Sequence, residues 1–191
     1  MRKFKQTVVA LAIGLALIWC VSLYGLTHPD IIYALALVPR STDGMIGILT
    51  MPLVHGSISH LSVNTSAYSV MAALVLLTRS IGYYLGATLL ILLMGGSALW
   101  AIGRDGAHIG ASALIFGYFG LLATRGLFER RFWPILFSAV IASLYAGLLW
   151  GIVPRDDGVS WEGHLTGLIA GVGAAWLLAS RKSDNTAGRA G

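Results

Sequence analysis

Six apolar stretches separated by short polar breaks organise this chain: residues 7–26, 60–77, 82–102, 112–124, 132–152 and 161–180. A helix needs about 20 mainly apolar residues to cross the hydrocarbon layer of a bilayer. The pattern therefore predicts an all-α integral membrane protein, a bundle of six transmembrane helices with a short fourth one. The connection 27–59 is the longest, and its apolar patches are broken by Pro29, Pro39, Pro52 and several glycines. Such breaks oppose another span, so a structured loop lying in the membrane interface is expected. Residues 1–180 then form a single membrane domain. The polar, small-residue-rich tail 181–191 is expected to be disordered.

Composition fixes the solvent. The chain is 57% hydrophobic and 11% charged, where a soluble domain carries about 25% charged residues. The single cysteine, Cys20, excludes an internal disulfide framework and is expected as a buried thiol in the first helix. A net charge of +5 could attract nucleic acid, but the basic residues sit at the ends of the apolar stretches. No nucleic-acid motif accompanies them, and no such partner is expected.

Their distribution sets topology instead. With the N-terminus inside, the inner segments hold Arg2, Lys3, Lys5, Arg79, Arg125, Arg130, Arg131, Arg181, Lys182 and Arg189; the outer ones hold Arg40, Arg104 and Arg155. Both termini are therefore expected in the cytoplasm, and the protein in a bacterial inner membrane. No convincing small-x-small cleavage site follows the first stretch, so an uncleaved first helix is expected.

Three polar groups lie just inside the starts of the second, fourth and sixth stretches: His60 with Asn64, Gly110-Ala111-Ser112, and His164. Polar side chains within membrane-grade segments are costly, which makes them functional candidates. The inner basic residue of each segment serves as a depth ruler. Ser112 is 13 residues before Arg125, Asn64 is 15 before Arg79 and His164 is 17 before Arg181. At about 1.5 Å per residue these spans are roughly 20, 22 and 25 Å. In a core about 30 Å thick, all three groups fall at one depth, below the outer face. The fourth stretch is too short to span from Ser112 alone. The glycine-rich run 103–110 must dip to meet it, around a water-filled pocket enclosed by protein.

Ser112 is the candidate nucleophile, at a helix N-terminus whose free N–H groups and dipole favour developing negative charge. A serine hydroxyl needs a base, and His164 offers one at matching depth. Glu162 would point to another helix face, so a Ser–His dyad is expected in place of a triad. His60 and Asn64, four apart, share a helix face and can both donate to an oxyanion. Phe116, one turn after Ser112, could stack on His164. Gly167 and Gly171 form a G-x-x-x-G that lets helix backbones approach.

Each feature has a plainer reading: a helix cap for Ser112, interhelical bonding for His164, a loop brace for the His60–Asn64 pair, packing for Phe116. Their joint occurrence favours chemistry. The segment HGSISH lacks HExxH spacing and an acidic partner, so no metal site is expected. His55 reads as a loop or supporting residue. His28 and His108 read as loop residues, with His108 close to Ser112.

HGSISHLSVN (55–64), GASALIFG (110–117) and WEGHLTGLIAG (161–171) together resemble the rhomboid intramembrane serine proteases. The resemblance implies a six-helix bundle with Ser112 as nucleophile and His164 as general base. It implies an oxyanion hole from His60, Asn64 and the Ser112 backbone N–H, and an aromatic ring, here Phe116, against the histidine. Two departures stand out. The usual G-x-S-G reads Gly-Ala-Ser-Ala, which could tighten the oxyanion pocket at Ala113, and the Trp-Arg pair common in the first outer loop is missing.

The function expected is an endopeptidase that cleaves transmembrane segments of other membrane proteins near the outer face, with no cofactor. Membrane lipid and transmembrane substrates are its expected partners. The alternatives are a catalytically silent, client-binding member of the same family, and a small transporter using the polar cavity.

Overall fold

The computed structural model describes residues 2–155 and 158–187. It contains eight α-helices: α1 (Arg2–Thr27), α2 (Pro29–Leu35), α3 (Gly47–Thr50), α4 (Ile58–Thr78), α5 (Ile81–Ile102), α6 (Ser112–Glu129), α7 (Phe132–Leu144) and α8 (Trp161–Ala187). Short 3-10 turns at Asp43–Ile46, Met51–Leu53 and Ala146–Ile152 complete the helical content, and no strand is formed among the described residues. The protein is an all-α membrane bundle. Helices α1, α4 and α5 are each long and apolar enough to span, and α7 with its 3-10 continuation is long and apolar enough only when the bent pair is taken together.

The remaining two expected spans, α6 and α8, carry the glycines and polar groups of the candidate site and form the centre. Helix α6 packs against α4, α5, α7 and α8, and its most extensive interface is with α8. Almost the whole length of α6 is buried, from Ala113 to Leu122 and again at Arg125 and Gly126. The main core gathers Leu61, Met71, Ile91, Tyr118 and Leu121 around it.

Glycine makes the central crossing possible. A Cβ at Gly167 would overlap the Ala113 carbonyl, one at Gly171 the Gly117 carbonyl, and one at Gly120 the Leu168 carbonyl. The two backbones therefore touch, as the G-x-x-x-G spacing led one to expect.

The structure corrects five expectations. Helix α6 continues to Glu129 because Arg125 does not mark a membrane boundary. Its side chain is buried, donates from Nη1 to Thr78 Oγ1 at 2.8 Å and lies over the Phe137 ring at 4.5 Å. At 18 residues α6 is still shorter than α1, α4, α5 and α8.

The stretch 132–152 is not one straight helix but bends by 61° between α7 and the 3-10 turn, where Gly147 weakens helix propagation. Helix α8 runs to Ala187, into the tail expected to be disordered; no glycine or proline falls between Gly173 and Gly188. Residues 188–191 lie outside the described residues. Cys20 is exposed, because the inward face of α1 is set by Ile18 and Ser22. Ala113 is corrected with the site below.

The connection 27–59 is structured, through α2, α3 and two 3-10 turns. An isolated antiparallel bridge pairs Leu37 with His108, and Gly110 N–H donates to Met51 O at 2.9 Å. These bonds draw the 103–111 run down to the start of α6.

Replacing Gly171 by valine should force α8 off α6 and cost about 2–4 kcal/mol, read as a lower thermal unfolding midpoint in detergent. Gly82→Ala, where an added Cβ meets nothing within 4 Å, should leave the midpoint unchanged or slightly raised. An unshifted midpoint in Gly171→Val would show that the backbone contact is dispensable.

Candidate active site

A cavity of about 830 Å³ opens between α4, α6, α8 and the 103–111 run, and Ser112, His164, His60, Asn64 and Phe116 all line it. The residues singled out from three distant stretches thus meet in one place. Ser112 is the first residue of α6, after the cap residue Ala111. Gly110 has φ +100, a conformation glycine adopts without penalty. A Cβ there would sit 2.7 Å from His60 Nε2 and 3.4 Å from Asn64 Nδ2. Glycine therefore lets the turn before Ser112 press against both candidate oxyanion donors. Asn64 is buried, and the Ser57 hydroxyl caps α4 by accepting from His60 N–H at 3.1 Å.

His164 is buried at the start of α8 and stacked on Phe116, with ring centroids 4.1 Å apart and planes 6° from parallel. Its Nδ1 lies 2.8 Å from the Gly151 carbonyl. A carbonyl only accepts, so Nδ1 carries the proton, and in the neutral ring the lone pair is on Nε2. Glu162, two residues earlier, pairs with Arg104 at 3.4 Å. Backbone, in place of a carboxylate, orients the imidazole.

Sequence reasoning missed Gly151. A carbonyl in a continuous helix would be taken by its own ladder, but the 3-10 turn ends at Ile152 and leaves this one free. A Cβ at Gly151 would lie 2.6 Å from Phe116 Cζ and 3.0 Å from His164 Nδ1. The signal available in the sequence was a glycine within an otherwise apolar span, which is weak alone.

His55 has a larger part than a loop residue. It is fully buried, and its ring bonds define a proton order. Ala111 N–H donates to Nε2 at 3.4 Å; Nδ1 faces Ser22 Oγ at 2.9 Å; and the Ser22 hydroxyl donates to Leu53 O at 2.9 Å. Since Ser22 uses its proton on Leu53, His55 Nδ1–H must donate to Ser22. Burial, with the neighbouring His60 ring edge-on at 4.8 Å, pushes the His55 imidazole down to about 4.

His108 lines the same cavity, bonded to Ser160 Oγ at 2.7 Å and to Arg104 O at 3.0 Å. His28 is exposed and stacks on Tyr24. Ala113 does not line the cavity. It packs with Leu37, Met51 and Leu99 in a small separate cluster, so its methyl stays out of the cavity in which a tightening was expected. One helical step turns it away from Ser112.

The Rhomboid domain sequence model matches residues 42–181. The chain belongs to the rhomboid family. It is also 40% identical over 151 residues to uncharacterized proteins of Mycobacterium tuberculosis and Mycobacterium bovis, covering 74% of this chain and 62% of theirs. An uncharacterized protein of Mycobacterium leprae is 40% identical over 148 residues, covering 73% of this chain and 58% of that protein. The chain thus spans about 62% of the length of the first of these relatives. The match covers α3 to α7 and most of α8 of the rhomboid bundle but begins after α1 and α2.

The lowered pKa of His55 should make this rhomboid domain acid-sensitive. Its pKa is lower folded than unfolded, so stability present above about 6.5 is lost as pH falls toward about 4. The loss should be on the order of 3 kcal/mol at most, seen as a falling unfolding midpoint in detergent across that window. His55→Gln should flatten the dependence; an equally steep profile in the variant would assign it to other groups.

Proposed function

We propose that this rhomboid-family membrane protein is a serine endopeptidase that cleaves transmembrane segments of other proteins. The observation that carries the reading is His164. Its Nδ1 proton is committed to Gly151 O and its ring is clamped by Phe116, and its remaining nitrogen belongs to a base in the cavity that Ser112 also lines.

In this mechanism Nε2 of His164 takes the Ser112 proton as Oγ attacks the scissile carbonyl. The tetrahedral oxyanion is stabilised by His60, Asn64 Nδ2 and the Ser112 backbone N–H at the positive end of α6. The imidazolium then protonates the leaving amine. Water enters the cavity, gives up a proton to His164 and attacks the acyl-serine; His164 returns that proton to Ser112 Oγ as the acyl bond breaks and the new carboxyl end is released. A substrate helix must unwind locally first, since an intact helix shields its carbonyls, so glycine- or alanine-rich segments are favoured substrates.

The cavity faces the outer side of a bacterial inner membrane in this reading, with both termini in the cytoplasm. Retention of serine, histidine and both side-chain donors favours catalysis over a silent client-binding role.

Reaction with a fluorophosphonate should label the wild type and be lost in Ser112→Ala and His164→Ala. Cleavage of single-span test proteins in proteoliposomes should vanish with it. Labelling that persists in Ser112→Ala would sink the assignment.

Gly151→Val should tilt the imidazole and lower kcat by about tenfold or more, with the unfolding midpoint little changed. Unaltered kcat would show that the Gly151 carbonyl does not orient the base.

A further inference from the structure

A second cavity, of about 490 Å³, lies at the opposite end of the bundle. It is lined by Lys3, Gln6 and Thr7 of α1, by Arg79 at the end of α4, and by Ser80 and Ile81 at the start of α5. We propose that it binds a phosphate group, such as the headgroup of an anionic phospholipid presents. The inference is independent of the chemistry proposed for Ser112.

Charge is the first support. Arg79 is paired with Glu129, and the neighbouring buried Arg125 makes no ion pair among the described residues. Lys3 lines the cavity beside Arg79, and Arg79 Nε is buried without a hydrogen-bond partner.

The start of α5 is the second. Ser80 caps Tyr83 N–H at 3.2 Å and accepts from Tyr84 N–H at 3.0 Å. The earlier N–H groups, of Ile81 and Gly82, have no partner within the helix. The first turn carries no acidic residue, and the space over Gly82 is open. This is the polarity that holds phosphate at helix N-termini.

Thr7 is an independent pointer to a ligand. It is only 5% exposed, yet its hydroxyl has no hydrogen-bond partner among the described residues. Thr65, Thr78, Thr88 and Thr124 instead donate to the carbonyl one helical turn back. Thr7 lines the cavity, and a phosphate oxygen held there would accept from its hydroxyl.

The flanking side chains Phe4, Val8, Ile81 and Leu85 face outward and are exposed. They would meet acyl chains beside a headgroup held here. Three acceptor oxygens suit donors converging from three helices better than a carboxylate does.

The test uses the full chain, delipidated in neutral detergent, and equilibrium binding of labelled phosphatidylglycerol and phosphatidylcholine. Phosphatidylglycerol should bind roughly fivefold tighter or more. Lys3→Gln and Thr7→Val should each weaken it by roughly fivefold, while Lys5→Gln, outside the cavity, should not. Displacement by millimolar inorganic phosphate would show that the phosphate group alone suffices; resistance to it would assign the site to lipid. Equal affinity for the two lipids, unaltered by Lys3→Gln and Thr7→Val, would overturn the proposal. Arg79 is left intact because its pair with Glu129 also joins α4 to α6.

Discussion

Where α8 crosses α6, the carbonyls of Ala113 and Gly117 occupy the space that side chains would fill at Gly167 and Gly171. Lipid gives little hydrophobic reward for bringing two helices together, so close backbone packing has to supply the attraction. That contact fixes the distance between the helix that begins with Ser112 and the helix that carries His164 in its first turn. The other helices surround this pair. The polar groups on it are tolerable because its neighbours shield them from the bilayer.

The same rule governs the irregular backbone. Non-helical chain at membrane depth must find partners within the protein. The 103–111 run finds them in Leu37, Met51 and His55, and the broken end of the α7 span finds one in His164. In both places a backbone group released from a helix is used to orient a site residue. The break after α7 is thus the means by which a carbonyl reaches an imidazole without a buried carboxylate, which would need its own compensation.

Much of this was legible in the sequence. Spans could be read because an apolar run of about 20 residues matches the thickness of a bilayer and exceeds what a soluble core helix needs. The meeting of Ser112, His164, His60 and Asn64 followed from depth, since basic residues at helix ends give an approximate ruler. The ruler failed at Arg125, which is held by a threonine and an aromatic ring within the bundle. Charge alone does not reveal such burial. Gly151 and the proton order at His55 were not legible, because both depend on which backbone groups are left free once helices stop. The turn of Ala113 away from the cavity needed only the step of about 100° per residue, yet its place in the G-x-S-G pattern suggested otherwise.

The bonds that link Ser22, His55 and Ala111 join α1 to the turn that precedes Ser112. Ser22 lies well before residue 42, where the family match begins. The span that homology recognises and the unit that folds are therefore not coextensive. Transplanting residues 42–181 behind a different leading helix would strand an imidazole proton in a dry interior. Helix α1 is better regarded as a component of the scaffold of the candidate site than as an interchangeable tether.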